Sequence, residues 1–204
     1  LMLSVYLQAD FTIDYQVQNW FYNSYNKTWI ISDRSPMIKF FFYSLPKILL
    51  IGCSAYLVFI QARSNRSSKM RDIFSFLICM IFIPAIVSTL KASTNVHCPY
   101  DLAAFTGHVP FRSLLCFDSY SAFLAKYDNG NCFPGGHASG GYAFMSSFFV
   151  LPNKYKRMGV LTGFILGTYM ALFQMMKGAH FLSHSLFTLS FAILFIMIVR
   201  KIMY

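Results

Sequence analysis

The sequence predicts an all-α, integral-membrane helical bundle of about six spans, the first of them truncated. Three observations carry that expectation. The chain has 204 residues, 56% of them hydrophobic and only 12% charged, about half the charge of an ordinary soluble domain. Its mean hydropathy is +0.51. Its apolar residues gather in long runs separated by short basic loops, the pattern of helices that cross a bilayer. The length suits one domain, residues 1–204.

The elements follow in order. Residues 1–9 open apolar and without an initiator Met; too short for a signal peptide or a span, they read as the tail of a truncated span. Residues 10–36 mix polar side chains with Trp20, Phe21, Tyr22, Tyr25 and Trp29. Tyr and Trp favour the headgroup level, so this is an interfacial segment or an ordered outer loop. Residues 37–60 are long enough to cross. Pro46 and Lys47 interrupt them, and Lys47 is deep enough to face the bundle. Residues 73–90 form a further span. Residues 138–151 form a short one whose start lies in the Gly-rich stretch before it. Residues 158–176 carry Gly159, Gly163 and Gly167 at four-residue spacing, a stripe that reads as close helix packing rather than catalysis. Residues 181–199 are the last span.

Net charge is +10, from 17 Lys and Arg against seven acidic residues. Such a balance can signal nucleic acid. Here the cations sit in short loops, so topology explains them and no nucleic-acid partner is expected. Arg63, Arg66, Lys69 and Arg71 mark one loop, Lys154, Lys156 and Arg157 another, and Arg200 and Lys201 the tail. These alternate as cytoplasmic segments should. Residues 10–36, an outer loop over 91–137, and the turn at Lys177 then face the other side. Every histidine, from His97 to His184, lies on or near that face.

Two short motifs there carry chemistry. Gly135 and Gly136, in Pro134-Gly135-Gly136-His137, leave backbone N–H groups unshielded where a helix begins, a setting that binds anions. Lys177-Gly178-Ala179-His180 stands at another helix start, and His184, four residues on, shares a face with His180. A helix N-terminus keeps an imidazole neutral. A neutral imidazole attacks phosphorus, a second histidine protonates the leaving oxygen, and lysines offset the phosphoryl charge. Lys91, His137, Lys177 and His180 thus hold the parts for phosphoryl transfer through a phosphohistidine, with no metal and no other cofactor. Taken singly, each part has a plainer meaning: an interfacial histidine, a positioning lysine, a glycine turn. Their combination on one face is what points to a site, while His108 reads as loop. A metal is the chemical rival, because His180 and His184 have zinc-ligand spacing. The chain has no Glu to act as base, and haem ligands would face one another within spans.

On these residues the chain resembles the type-2 phosphatidic acid phosphatases, which share a helical-bundle core with vanadium haloperoxidases. Their motifs are K-x6-R-P, P-S-G-H and S-R-x5-H-x3-D. Lys91 and Pro99 match the ends of the first, with Cys98 at the arginine. Pro134, Gly136 and His137 match the second, with Gly135 at the serine. His180 matches the third, with Phe173-Gln174 at Ser-Arg and His184 at the aspartate. The resemblance implies His180 as nucleophile, His137 as general acid and then base, and Lys91 as a phosphate ligand. Lys177 would replace one missing arginine, though without bidentate geometry, and His97 adjoins the position of the other. Asp101 is a substitute for the missing carboxylate or a loop cap. The motifs look like a bacterial branch of the family, placing the chain in the cytoplasmic membrane with its site facing outward. The implied partner is a phosphorylated membrane lipid: lipid A, undecaprenyl pyrophosphate, phosphatidic acid or phosphatidylglycerol phosphate. The rival functions are a lipid phosphotransferase and a non-catalytic transporter or structural protein; Lys47 and Gln174 are the mid-span polar residues a pathway would need.

Cys53 and Cys79 lie inside spans as apolar fillers. Cys98 and Cys132 flank the first two motifs. If those motifs converge on one phosphate, an oxidising outer face would join the two cysteines. Cys116 makes the outer count odd, so Cys98–Cys116 and Cys116–Cys132 stay open.

Overall fold

A computed structural model describes residues 1–32, 35–64, 67–114, 123 and 126–204. Arg66 of the first basic loop and Cys116 lie outside the described residues. The chain is nearly all helix: α1 (Met2–Asp10), α2 (Thr12–Asn19), a hairpin of β1 (Tyr22–Asn23) and β2 (Thr28–Trp29), α3 (Pro36–Lys39), α4 (Leu45–Ala62), α5 (Lys69–Thr94), α6 (Gly136–Ala143), α7 (Lys156–Met176) and α8 (Leu182–Met203). Helical segments long and apolar enough to cross a membrane are Pro36–Ala62, Lys69–Asp101, Asn153–Met176 and Leu182–Met203. They correspond to the spans expected at 37–60, 73–90, 158–176 and 181–199. Residues 1–9, expected as the tail of a truncated span, fall in the nine-residue helix α1. Residues 138–151 are not one α-helix: the eight residues of α6 pass into a 3-10 turn at Phe144–Phe149. Ser146 Oγ donates back to the Ala143 carbonyl at 2.6 Å, a bond that competes with the α ladder.

The chain forms two compact units, one of Leu1–Asp33, Val87–Gly136 and Ala171–Thr188, the other of Arg34–Ile86, His137–Met170 and Leu189–Tyr204.

In the second unit, Ser35 caps α3 by accepting from the Ile38 N–H at 3.3 Å, with Pro36 in the first turn. A π-helical turn at Phe40–Ser44 then precedes Pro46. Proline has no N–H for the carbonyl one turn back, and the wider turn absorbs that break. Lys47 is exposed, with Nζ 5.9 Å from the Tyr43 ring centroid. It lies on the surface of the unit, not in its interior as its depth in the run suggested, because the Tyr43 ring one turn back receives the ammonium. The glycine stripe of α7 packs as expected. A Cβ on Gly163 would stand 2.3 Å from the Met145 nitrogen, and one on Gly167 2.3 Å from the Tyr142 ring. At the basic end, buried Asp72 accepts from Gln61 Nε2 (3.2 Å), Ser68 Oγ (3.0 Å) and the Tyr204 hydroxyl (2.6 Å).

In the first unit, residues 10–36 hold more than a loop. After α2 the chain turns through the hairpin, with Tyr22 paired to Trp29 and Asn23 to Thr28. Asn23 Oδ1 accepts from the N–H groups of Tyr25 and Asn26, both at 3.0 Å, a side chain standing in for backbone in a tight turn. The core joins Tyr22, Leu102, Phe105, Val109 and Phe181, with Phe11, Trp29 and Phe111 packed on it. Burial of each such aromatic side chain is worth about 1.5–3 kcal/mol, so this cluster anchors Phe181 and, through it, the start of α8.

Gly163→Ala should lower the melting temperature in detergent, with a loss of about 1–3 kcal/mol from overpacking. Gly52→Ala is the matched control: a Cβ there meets nothing within 4 Å, and no loss is expected.

Candidate active site

The third motif hangs on the turn that ends α7. Gly178 has φ 70°. Its N–H donates to the Met175 carbonyl at 2.9 Å, and that of Ala179 to the Gln174 carbonyl at 2.8 Å, which is a Schellman cap. A Cβ on Gly178 would also stand 2.3 Å from the Trp29 ring, so both the backbone and the neighbour require glycine. The turn delivers His180, which is 2% exposed. His180 precedes α8 rather than sitting on its first turn, because the helix begins at Leu182. The ring still stands edge-on to that of His184, with centroids 5.7 Å apart. His184 is fully buried, enclosed by Phe133 at 5.2 Å and Phe181 at 5.4 Å, both edge-on.

The second motif closes on the same turn. The Gly135 N–H donates to the His184 carbonyl at 3.0 Å, and the Thr188 hydroxyl donates to the Gly135 carbonyl at 3.1 Å. A Cβ on Gly135 would stand 3.2 Å from the His184 oxygen. The Gly135 N–H is therefore committed to protein and not open to an anion, as the glycine pair had suggested; the close approach of the α8 backbone uses the donor. Gly136 opens α6, and a Cβ there would lie 3.7 Å from Lys91 Cδ. Lys91 lies in the last turn of α5. His137 belongs to the second unit, where its half-buried ring stands edge-on to Tyr43 at 5.4 Å.

The first motif forms a small knot. Asp101 Oδ2 accepts from the Cys98 N–H at 3.2 Å and lies 3.9 Å from His97 Nδ1. Asp101 thus caps its own loop and faces His97. Cys98 is paired with Cys132, with Cα atoms 5.2 Å apart, and the Cys132 N–H donates to the Val96 carbonyl at 2.9 Å. The residue at the family's arginine position is therefore held by a cysteine and turned to covalent geometry. Lys177 is half-buried, its ammonium 5.4 Å from the Phe173 ring centroid. Among the described residues no three His, Cys, Asp or Glu side chains gather as a metal would need.

Three residues escape sequence reasoning. Asp14 of α2 is 1% exposed and accepts from the Ser183 N–H at 2.9 Å and from the Ser183 hydroxyl. The two residues are 169 positions apart, so no local spacing reveals the contact; the only signal is an acid in a chain with very few. One turn along, Gln18 Nε2 donates to the Met175 carbonyl at 2.8 Å, so one face of α2 holds the turn before His180. Arg112 places its guanidinium 5.0 Å over Phe123, whose ring stands 5.8 Å from that of His97. It is a cation close to the first motif that no motif position indicated.

Non-reducing peptide mapping should recover a Cys98–Cys132 crosslinked pair, and a double Cys→Ser variant should lose about 2–4 kcal/mol of stability. Burial pushes the Asp14 carboxyl from 3.8 up to about 6, against the pull of its two Ser183 bonds. A folded value above the unfolded one means stability is full below about 3.8 and is lost as pH rises through about 6. Asp14→Asn should therefore melt above wild type at pH 8 and match it at pH 4, the gap reaching on the order of 2 kcal/mol.

Known proteins add one finding to this geometry. The sequence model of the PAP2 superfamily matches residues 72–204, which holds the Lys91, His137 and His180 motifs. No curated protein and no solved structure gives a significant match to the chain. With well over half its length matched and four apolar helices able to cross a bilayer, the chain belongs to the PAP2 superfamily and is an integral-membrane protein of phosphatase type, a hydrolase of phosphoric esters.

Proposed function

We propose that the protein hydrolyses a lipid phosphomonoester or diphosphate through a phosphohistidine, from the outward face of a bacterial cytoplasmic membrane. The observation that carries this reading is the meeting of three motif positions in one unit. Lys91 lies against Gly136, Gly135 is bonded to the His184 backbone, and His180 stands beside His184. The basic loops at the other ends of the spans support the sidedness. The apolar side chains exposed along α4, among them Ile48, Leu49 and Ile51, suit a protein whose substrate is itself a membrane lipid.

In the proposed reaction a His180 nitrogen attacks phosphorus as the bond to the lipid oxygen breaks. His137, protonated, gives its proton to that oxygen. Water then attacks phosphorus as the N–P bond breaks, His137 takes the proton from the water, His180 is regenerated, and inorganic phosphate leaves. Lys91 and Lys177 offset the phosphoryl charge in both steps. Phosphatidic acid, phosphatidylglycerol phosphate, undecaprenyl pyrophosphate and lipid A share the group this chemistry needs.

Purified protein in detergent should release phosphate from at least one of these lipids, and should do so in the presence of EDTA. His137→Ala should lower kcat by ~10²–10⁴-fold. His180→Ala should abolish turnover and phosphohistidine labelling together. An unchanged rate in His180→Ala overturns the mechanism.

A further inference from the structure

We propose that Asp14, which lies outside the matched region 72–204, is the positioning residue for His180: it fixes the first turn of α8 through the Ser183 N–H and hydroxyl. The inference rests on the proposed phosphatase reading for its catalytic consequence, but not for the contact itself.

The first N–H groups of any helix lack partners within it and need a capping acceptor. The position that would provide one for α8 is Phe181, which has no side-chain oxygen. The next backbone donors are therefore left to residues elsewhere. Asp14 meets this need from α2, taking the Ser183 N–H at 2.9 Å with one carboxylate oxygen and the Ser183 hydroxyl with the other. A carboxylate at this end of a helix is also favoured by the helix dipole. The placement matters because Ser183 lies between His180 and His184, with Phe181 held in the aromatic core.

His180 is thus constrained from three directions. The Gly178 turn fixes the chain before it, with Gln18 of α2 bonded to the Met175 carbonyl. Phe181 is packed among Tyr22, Phe105 and Leu102. Ser183 is tied to Asp14. Two of these ties come from α2, so α2 acts as a brace on the segment that carries the nucleophile. In the family pattern a carboxylate four residues after the histidine belongs to the same helix. Here that position holds an imidazole buried among Phe133 and Phe181, and the acid on this turn comes from the other end of the chain.

The test compares Asp14→Ala, Asp14→Asn and Ser183→Ala with wild type in phosphate release and in amide exchange of the peptide spanning 180–186. Asn keeps an acceptor for the N–H and a donor for the Ser183 oxygen, so it preserves the geometry without the charge. Misplacing a reacting group by about an ångström can cost ~10²-fold. Asp14→Ala should therefore lose about 10–100-fold in kcat with KM changed less than about twofold, Asn should recover most of that loss, and Ser183→Ala, which keeps the N–H bond, should fall between. Exchange at the Ser183 amide should rise in Asp14→Ala and not in Asp14→Asn. Wild-type kcat in Asp14→Ala overturns the proposal, as does an Asn variant that is folded and as slow as Ala. Should wild type release no phosphate from any lipid of the panel, the function reading falls. The exchange data then decide the brace alone, and an unchanged Ser183 amide in Asp14→Ala overturns it.

Discussion

The first unit depends on a close approach of two backbones, Gly135 against the first turns of α8. Its N–H is bonded to the His184 carbonyl, its carbonyl is bonded to Thr188, and the space for a Cβ is only 3.2 Å from the His184 oxygen. A serine there, as the family pattern has it, would have to push α8 away. The substitution therefore belongs with the packing. Phe133, two residues before Gly135, closes over the His184 ring, and Gly136 comes against Lys91. The second and third motifs, far apart in sequence, are held together at this contact, and the anion-binding role suggested for the Gly135 N–H is lost in making it.

The sequence revealed what periodicity and spacing can encode. The four long apolar runs became helices with nearly the expected limits, since length and hydropathy are local properties. The Gly159, Gly163 and Gly167 stripe became a packing face because small residues at that spacing allow little else. Over 138–151 hydropathy does not register a change of helix type: the α-helix tightens to a 3-10 helix at Phe144, where the Ser146 hydroxyl bonds back to the Ala143 carbonyl. The contacts of Asp14, Gln18 and Arg112 were illegible for a different reason. Each depends on where a distant loop or helix comes to rest, and no sequence window contains both partners.

The substitutions at the motif positions form a coherent set rather than scattered losses. Cys98 takes the place of an arginine and is engaged with Cys132, a tie that holds the first and second motifs where a charge would have served the ligand. Asp101 is occupied in the same knot by the Cys98 N–H and His97. Under the proposed function the motif cations available to a phosphate are lysines, which act as point charges and do not impose the planar two-pronged geometry of a guanidinium, while Arg112 is the guanidinium near the first motif. In that proposal, holding His180 still matters the more for placing it against phosphorus.

In that proposal the acid of α2 is worth its burial. Taking a carboxyl out of water is costly unless hydrogen bonds compensate, and Asp14 keeps two, both to Ser183. Had the acid stayed at position 184, it would have lain among Phe133, Phe181 and the His180 ring, with the Gly135 contact fixing its backbone. An uncharged imidazole fits that aromatic enclosure with less desolvation than a carboxylate does. Asp14 instead meets the buried first turn of α8, where the opening N–H groups and the helix dipole favour an anion. His184 fills the apolar space beside His180, and Asp14 orders the turn.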